Sequence, residues 1–437
     1  MPPPLVAAVE MGYGHLRAAR ALADALATKV TLVDRAPIAG REEQRLWRAS
    51  RRFYEIASRA SQLPVIGAPL EALLEAVTSI PPLYPHRDLS APTFQSRSLD
   101  RFIERGLGRG LARHLLETGA PLVTTFFAPA LAAERFGVEE IYCVATDVDL
   151  NRTWASREPA KTRINYLAPT RRARRRLIAY GVPRERIEVT GFPLPTERLG
   201  GEDLPTLRRD LAARLVRLDP KGTFREQGGP EIDHFLGDLP AEQEGCPPLA
   251  VFAVGGAGAQ ADLAAALLPT LRPLIEQGRL RLTLVAGIRR EVAARFAQEV
   301  RAAGLESHLS PNIESTAGPA PDKPVSILLE ANHDTYFDRF HALLGSADLL
   351  FTKPSEMVFF GALGLPLVLT RPVGVHERYN RRWAVENGVG LKMRDPRHAG
   401  DWLREYLTEG TLAAAAWFGY LRLPKFGLYR ILERLGL

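Results

Sequence analysis

The stretch that decides the fold runs from residue 347 to residue 380 and reads ADLLFTKPSEMVFFGALGLPLVLTRPVGVHERYN. Its apolar residues predict a buried strand at 349–351, a short helix at 355–363 and a second buried strand at 367–370. A proline opens the first helix and a glycine ends it, and the loop at 373–380 opens another helix. Strands and helices that alternate through short turns are typical of a parallel α/β fold, in which ligands bind at the carboxyl ends of the strands.

The composition is that of a globular protein large enough for two domains. The chain has 437 residues, of which 46% are hydrophobic and 24% are charged, and this length allows two separate cores. No apolar run approaches the ~20 residues that a membrane-spanning helix needs. The first strand follows directly on MPPP, without the basic region of a signal peptide, so we expect a cytoplasmic protein.

The charge of the chain restricts its partners only broadly. The formal net charge is +7 and comes mostly from arginine, which suits an anionic membrane surface, a phosphorylated substrate or nucleic acid. No signature of a nucleic-acid-binding module is present, so we predict no nucleic-acid partner. The two cysteines, Cys143 and Cys246, lie far apart without a C-x-x-C motif, which argues against a disulfide framework and against a zinc site.

The pattern of a strand, a glycine turn and a helix occurs twice, roughly half a chain apart. The first copy has a strand at 5–9 and the turn GYGH at 12–15. The second copy has a strand at 249–254 and the turn GGAGAQ at 255–260. Two such openings predict two Rossmann-like α/β domains that face each other across a cleft.

We therefore divide the chain into an N-terminal domain at 1–200 and a C-terminal domain at 201–415. The amphipathic tail at 416–437 is predicted to return to the N-terminal domain. Residues 218–248 are rich in glycine, proline and glutamate, which predicts an inserted loop and not a part of the core.

Residues 41–80 combine arginines with Trp47, Phe53 and Tyr54, followed by an apolar stretch that prolines interrupt. One interpretation is peripheral membrane contact, with the arginines on anionic headgroups and the aromatic rings in the headgroup boundary. The alternative is a solvated helix whose aromatic side chains pack inward. The two interpretations differ in whether Trp47 is exposed or buried. The basic helix at 171–176 has two similar interpretations, contact with lipid headgroups or exposure to solvent.

Several motifs follow one another along the chain: GYGH, TDVDLNRTW, GFP, GGAGAQ, and TKPSE followed by GLP and HERYN. With these motifs the chain resembles, over most of its length, the B-fold glycosyltransferases that include plant monogalactosyldiacylglycerol synthase and the peptidoglycan N-acetylglucosaminyltransferase. The resemblance implies an inverting transfer of a sugar, usually from a UDP-hexose, to a hydroxyl group of a lipid or lipid-like acceptor. It also implies that the C-terminal domain binds the nucleotide sugar and the N-terminal domain the acceptor, at the inner face of the membrane, without a metal or other cofactor.

The resemblance also assigns binding residues. The glycine turn at 255–260 would let the backbone approach the diphosphate, and the residues after two later strands would complete the donor pocket. The predicted donor-binding residues are Gly255, Gly256, Gly258, Gln260, Lys353, Pro354, Ser355, Glu356, His376, Glu377 and Asn380. The predicted acceptor-binding residues are Gly12, Tyr13, Gly14 and Trp154.

Two residues are candidates for catalysis. His15 follows a glycine turn at a helix N-terminus, where the helix dipole favours the neutral imidazole that can accept a proton. Asp147 ends a strand and would either act as the base or orient His15. The alternatives are a helix-capping histidine and a strand-end aspartate without a chemical role. Asp147 and Asp149 also form a D-x-D pair, but one such pair is weak evidence for a metal, and we predict none.

Phe359 stands where the resemblance places a glutamate that binds the ribose of the donor. A phenylalanine cannot accept hydrogen bonds from the ribose hydroxyl groups. Three functions are therefore considered: a glycosyltransferase, an enzyme similar to nucleotide-sugar 2-epimerases, and a binding or scaffold protein of the same fold that has lost catalysis. The second shares the two-domain cleft but has no hydrophobic acceptor segment.

Overall fold

The computed structural model of the chain describes residues 2–60, 80–253, 262–310, 324–372 and 374–437, except for the side chains of 53–60 and 310. The chain divides into two compact units. Unit 1 comprises Met1–Leu194, Pro372–Asn380 and Phe426–Leu437, and unit 2 comprises Pro195–Arg371 and Arg381–Lys425.

Strands and helices alternate along the chain. The strands are β1 (Leu5–Ala8), β2 (Thr31–Leu32), β3 (Leu122–Thr124), β4 (Ile141–Val144), β5 (Asn165–Ala168), β6 (Ile187–Val189), β7 (Leu249–Ala253), β8 (Arg281–Gly287), β9 (Ser307–Ser310), β10 (Val325–Leu329), β11 (Leu349–Thr352), β12 (Leu367–Leu369) and β13 (Gly390–Lys392). The α-helices are α1 (Tyr13–Ala25), α2 (Arg41–Ala60), α3 (Phe94–Glu104), α4 (Arg109–Thr118), α5 (Phe127–Arg135), α6 (Arg171–Ala179), α7 (Thr196–Leu199), α8 (Pro205–Leu218), α9 (Thr223–Leu236), α10 (Asp262–Glu276), α11 (Arg290–Ala302), α12 (His333–Ser346), α13 (Val375–Glu386), α14 (Ala399–Thr408), α15 (Thr411–Arg422) and α16 (Gly427–Arg434). Short 3-10 helices are Arg152–Trp154, Pro159–Lys161, Arg184–Arg186, Ala241–Gln243, Glu356–Leu363 and Pro396–His398.

Unit 1 contains a six-stranded sheet in the order β2-β1-β3-β4-β5-β6, and its strands pair in parallel. A central strand such as β3 is buried along its whole length, as expected for a parallel sheet that helices cover on both faces. The chain leaves β1 on one side to form β2 and then returns to form β3 on the other side. Ligands in open parallel sheets bind at the carboxyl ends of the strands where the order reverses in this way.

Helix α2 packs on the core of unit 1. Trp47 is 4% exposed and belongs to the buried hydrophobic cluster of this unit. The carboxylate of Glu43 accepts hydrogen bonds from the backbone N–H groups of Gly108 (2.8 Å) and Gly110 (3.0 Å) at the start of α4. The interpretation that places Trp47 at a membrane surface is therefore wrong, because its ring fills the core. The rest of the aromatic and apolar part of that segment lies outside the described side chains: Phe53, Tyr54 and residues 61–79.

Unit 2 contains a seven-stranded sheet in the order β13-β12-β11-β7-β8-β10-β9, and its strands also pair in parallel. The order reverses at β7, which lies between β11 and β8. Ala253 at the end of β7 pairs with Thr352 at the end of β11, so these two strands end at the same edge of the sheet. The predicted α/β class with two parallel sheets is confirmed.

The prediction of an inserted loop at 218–248 is wrong for its central part, because Thr223–Leu236 forms α9. The buried carboxylate of Asp219 accepts hydrogen bonds from the backbone N–H groups of Phe224 (3.1 Å) and Arg225 (2.9 Å). These donors have no partner within the helix, so Asp219 stabilises the N-terminus of α9. The glycine and proline content of the segment indicated a loop. It did not show that Asp219, which precedes the helix, stabilises its first turn.

The predicted tail divides between the two units. Thr411–Arg422 forms α15 of unit 2, whereas Phe426–Leu437 groups with unit 1. In the first turn of α16, Gly427 lies so close to Phe192 that a Cβ atom would overlap the Phe192 carbonyl oxygen. Only glycine allows this close approach of the two backbones.

In the part of the chain that the structure describes, no helix combines the length and the apolar character needed to cross a bilayer.

Candidate functional site

His15 lies in the first turn of α1, directly after the glycine turn that follows β1. Gly12 has a φ of 143°, a conformation that residues with a Cβ atom rarely adopt, so glycine is needed to lead the chain into the helix. Tyr13 and Gly14 are the first two residues of α1. This turn places His15 where the strand order of unit 1 reverses, at the sheet edge where open α/β folds bind ligands.

The imidazole of His15 is held by the residues that follow β3 and β4. Its Nδ1 lies 2.8 Å from the carbonyl oxygen of Thr125 and 3.1 Å from Oγ1 of Thr146. A carbonyl oxygen only accepts hydrogen bonds, so Nδ1 carries the proton in this contact. In the neutral ring the lone pair is then on Nε2. The hydroxyl group of Thr125 donates to the carbonyl oxygen of His15 (2.8 Å), which ties α1 to the same turn a second time.

Aromatic side chains form a wall beside this imidazole. The ring centroid of Phe126 lies 4.7 Å from that of His15, and the centroid of Trp154 lies 6.5 Å away. Trp154 also packs on Phe127, at 5.2 Å between centroids. Trp154, which we expected to contact the acceptor, is buried in this wall. These rings pack beside the imidazole, and less polar surroundings strengthen the hydrogen bond that fixes the tautomer.

Asp147 is half-buried at the turn that follows β4. Its Oδ1 accepts a hydrogen bond from Nδ2 of Asn380 (2.9 Å), and Oδ1 of Asn380 accepts one from the backbone N–H of Val148 (2.9 Å). The side chain of Asp147 therefore has one oxygen held by a buried amide. Within the described ranges, its other oxygen, Oδ2, makes no hydrogen bond.

Asp149, the second carboxylate of the D-x-D pair, is fully buried and bound to two arginines of α6. Its oxygens accept hydrogen bonds from Arg172 Nε (2.6 Å) and from Nε (2.8 Å) and a terminal nitrogen (2.9 Å) of Arg176. Burial opposes the charge of Arg176, but the bonds to Asp149 leave the pKa of its guanidinium above the usual value. Asp149 thus forms a structural ion pair with these arginines. Among the described residues, no group of three or more possible ligands could hold a metal.

The predicted donor residues of unit 2 follow β7 and β11. Gly255, Gly256, Gly258 and Gln260 lie outside the described residues. Lys353, Pro354 and Ser355 follow β11, and Glu356 opens the 3-10 helix that comes next. They leave the sheet of unit 2 where its strand order reverses, which is the ligand-binding edge of such a sheet.

Phe359 is buried in unit 2, where its ring centroid lies 5.3 Å from that of Trp383. The position that the resemblance assigns to the ribose-binding glutamate is therefore occupied by a core residue. Any ribose contact in this chain must come from other residues.

The remaining predicted donor residues group with unit 1 and not with unit 2. They lie at the start of α13, where His376 is exposed and Glu377 and Asn380 are buried. Asn380 contacts Asp147, which is a candidate catalytic residue. The two residues lie 233 positions apart in the sequence. Residues 372–380 thus group with unit 1, although they fall within the range 201–415 predicted for the C-terminal domain.

Sequence reasoning missed three threonines that organise the site. Thr125 and Thr146 hold His15, and the hydroxyl group of Thr170 donates to the carbonyl oxygen of Val148 (2.8 Å). Each threonine comes one or two residues after a buried strand, at the edge where ligands bind. Polar residues directly after apolar strands were the signal that could have found them.

A separate cavity of about 290 Å³ lies on the flank of unit 1. Its charged lining includes Asp100, Glu104, Arg135 and Arg157. Burial raises the pKa of the Asp100 carboxyl group. None of the predicted site residues lines this cavity, so it is distinct from the site around His15.

The chain was compared with known families and structures. Residues 241–423, less than half of the chain, match a family model described as a domain of unknown function (DUF6938). No curated protein matches the chain. Among solved structures, MnaA of S. aureus with UDP shares 12% identity over 99% of this chain and 95% of that one, with a TM-score of 0.47.

Two further structures have a similar degree of likeness. The UDP-GlcNAc 2-epimerase of Neisseria meningitidis bound to UDP-GlcNAc shares 11% identity over 98% of each chain, with a TM-score of 0.45. A glycosyltransferase from Rickettsia africae shares 11% identity over 99% of this chain and 98% of that one, with a TM-score of 0.43. At these low values we infer nothing about activity from the three structures.

Proposed function

We propose that the protein is an inverting glycosyltransferase that moves a sugar from a nucleotide sugar, in the simplest case a UDP-hexose, to a hydroxyl group of a lipid or lipid-like acceptor. The observation that carries the proposal is the fixed imidazole of His15, whose Nδ1 contacts Thr125 and Thr146. A neutral imidazole with its lone pair on Nε2 is suited to take the proton of an acceptor hydroxyl group. The order of the motifs along the chain supports the reaction class.

In this reaction Nε2 of His15 takes the proton as the acceptor oxygen forms a bond to the anomeric carbon. The bond from that carbon to the diphosphate breaks, and the nucleoside diphosphate leaves with the electron pair. The imidazolium that forms is stabilised because its Nδ1–H already donates to Thr125. General base catalysis of this kind contributes ~10²–10⁴-fold to the rate.

The leaving diphosphate needs positive charge and N–H donors. Lys353 and the glycine turn at 255–260 would supply them, since both follow strand ends of unit 2 where anions commonly bind. The proposal includes no metal and no other cofactor. A lipid acceptor would require the protein to work at the inner face of the membrane.

The direct test is an assay of transfer with the purified chain. UDP-glucose, UDP-galactose and UDP-N-acetylglucosamine are offered with diacylglycerol in mixed micelles, and both UDP and the glycolipid are measured. We expect wild type to release UDP only with acceptor, and His15→Ala to lower kcat by ~10²–10⁴-fold at unchanged melting temperature. His15→Ala with full activity would contradict the role of His15.

The same assay separates the alternative functions. A donor that changes into its C2 epimer without acceptor would show an epimerase. A donor or UDP that raises the melting temperature without any turnover would show a binding protein. The burial of Phe359 against Trp383 favours this second candidate, because it removes one ribose contact expected from the resemblance.

A further inference from the structure

We propose that Asn380 is a positioning residue for Asp147. It fixes Oδ1 of Asp147 and so presents Oδ2 as the hydrogen-bond acceptor for a hydroxyl group of the substrate. The inference rests on the proposed function and deepens it, since it gives Asn380 a role at the acceptor side of the reaction and not at the donor side.

The amide of Asn380 is used at both ends. Its Nδ2 donates to Oδ1 of Asp147 (2.9 Å), and its Oδ1 accepts from the backbone N–H of Val148 (2.9 Å). A carboxylate only accepts and an N–H only donates, so these two contacts allow a single orientation of the amide. The side chain is fully buried, where losing one partner of such a pair is costly.

The turn that carries Asp147 is also held by residues other than Asn380. The carbonyl oxygen of Val148 accepts from the hydroxyl group of Thr170 (2.8 Å), and Asp149 is bound by Arg172 and Arg176. The backbone of the turn is therefore fixed on the side of α6. What Asn380 adds is one more bond to the backbone of the turn, at Val148, and the orientation of the Asp147 side chain.

The hydrogen bond from the Asn380 amide holds Oδ1 of Asp147 in place. It also selects one side-chain orientation, which reduces the entropy lost when a substrate hydroxyl group binds to the other oxygen. Titratable groups on the elements around this turn include His15 on α1, Arg172 and Arg176 on α6, Asp149 in the turn itself, and Glu377 and Tyr379 on α13.

The test is Asn380→Asp, a change that keeps the shape of the side chain. It places a second carboxylate where the amide nitrogen lies 2.9 Å from Oδ1 of Asp147, and the two groups then share one proton. The pKa of the second ionisation is raised in the folded state. A group whose pKa is higher in the folded state than in the unfolded state contributes its full stability at pH values below the unfolded pKa. This contribution is lost as the pH rises through the folded pKa. We expect the variant to melt like wild type near pH 4 and ~5 °C lower by pH 8.

The same variant has a second readout in the transfer assay. The acid limb of the profile of kcat/KM against pH should move upward by ~1–2 pH units, because Oδ2 of Asp147 becomes a strong, charged acceptor only after the shared proton has left. A residue that only supported the fold would lower the rate without moving this limb. Asn332→Asp, which changes an exposed helix-capping amide of unit 2, should leave both profiles unchanged.

The exchanged pair Asp147→Asn with Asn380→Asp separates positioning from folding. It restores one amide and one carboxylate, so the melting temperature at pH 8 should return to within ~2 °C of wild type. Activity should stay low, because the carboxylate oxygen is no longer on residue 147. Recovery of full activity in the exchanged pair would overturn the proposal.

The stability profile decides the contact independently of the enzyme activity. Equal melting temperatures of wild type and Asn380→Asp from pH 4 to 8 would overturn the proposal that Asn380 contacts and positions the carboxylate of Asp147. If wild type transfers no sugar from any donor, the proposed function fails. In that case the contact is still judged by the stability profile alone.

Discussion

His15 and Asp147 each have one polar atom fixed by the protein. Nδ1 of His15 is fixed by Thr125, and Oδ1 of Asp147 is fixed by Asn380. Fixing one atom of a side chain limits its orientations. Substitutions in the residues that hold the site should therefore lower activity more than stability.

Thr146→Val tests this expectation at a buried position. The change removes the hydroxyl group that lies 3.1 Å from Nδ1 of His15 and keeps a branched side chain of similar size. We expect kcat to fall by ~10-fold, which corresponds to ~1.4 kcal/mol, while the melting temperature falls by no more than ~4 °C. Thr146→Ser keeps the hydroxyl group and should retain most of the activity. Full activity of the valine variant would show that Thr125 alone orients the ring.

At the scale of helices and strands, the parallel strands were predictable because they are short apolar runs. The strand Leu349–Thr352 is buried at every position, and its sequence shows this directly. The helix Thr223–Leu236 was not predictable from composition, because a buried carboxylate that precedes it caps its first turn. Local sequence therefore indicates the strands, whereas contacts beyond the segment decide such a helix.

The site was less predictable than the strands, because contacts between residues distant in the sequence also decide it. His15 and Asp147 could be selected, since a glycine turn and a strand end precede them. The contact of Asp147 with Asn380 joins residues 233 positions apart, and no local pattern indicates which distant amide meets which carboxylate. The D-x-D pair is a related case, because only the structure shows that Asp149 is bound by Arg172 and Arg176.

The ion pair between α6 and the turn after β4 gives a prediction for stability. Asp149→Asn leaves the fully buried guanidinium of Arg176 without a countercharge. We expect the free energy of unfolding of unit 1 to fall by ~3–5 kcal/mol, measured by urea denaturation. Glu158→Gln, which removes an exposed ion pair with Lys161 in the same unit, is the control and should have little effect. An equal loss in both variants would show that the burial of Asp149 does not matter.

At the scale of the whole molecule, the chain crosses between the two units more often than the sequence indicates. The first crossing, between Leu194 and Pro195, lies near the boundary predicted from the repeated strand–turn–helix pattern. The segment Pro372–Asn380 was not predictable, because it continues directly into the rest of α13 and only its contacts assign it to unit 1. The chain thus supplies unit 1 with a candidate site residue from within its C-terminal half.

The two units should respond differently to a nucleotide. If UDP binds where the strand order of unit 2 reverses, it should slow hydrogen exchange in peptides that cover residues 249–262 and 349–360. Peptides that cover residues 9–20 of unit 1 should change less. Lys353→Ala should weaken UDP binding by ~10-fold, since it removes one charged contact to the diphosphate.

Uridine is the matched control for this experiment, because it lacks the diphosphate and should give little protection of the same peptides. The comparison also measures how much of the affinity for UDP comes from the diphosphate, since Phe359 cannot accept hydrogen bonds from the ribose. Equal protection by uridine and UDP would place the binding energy in the nucleoside and contradict the role of Lys353. Protection by UDP that is confined to residues 9–20 would contradict a donor site in unit 2.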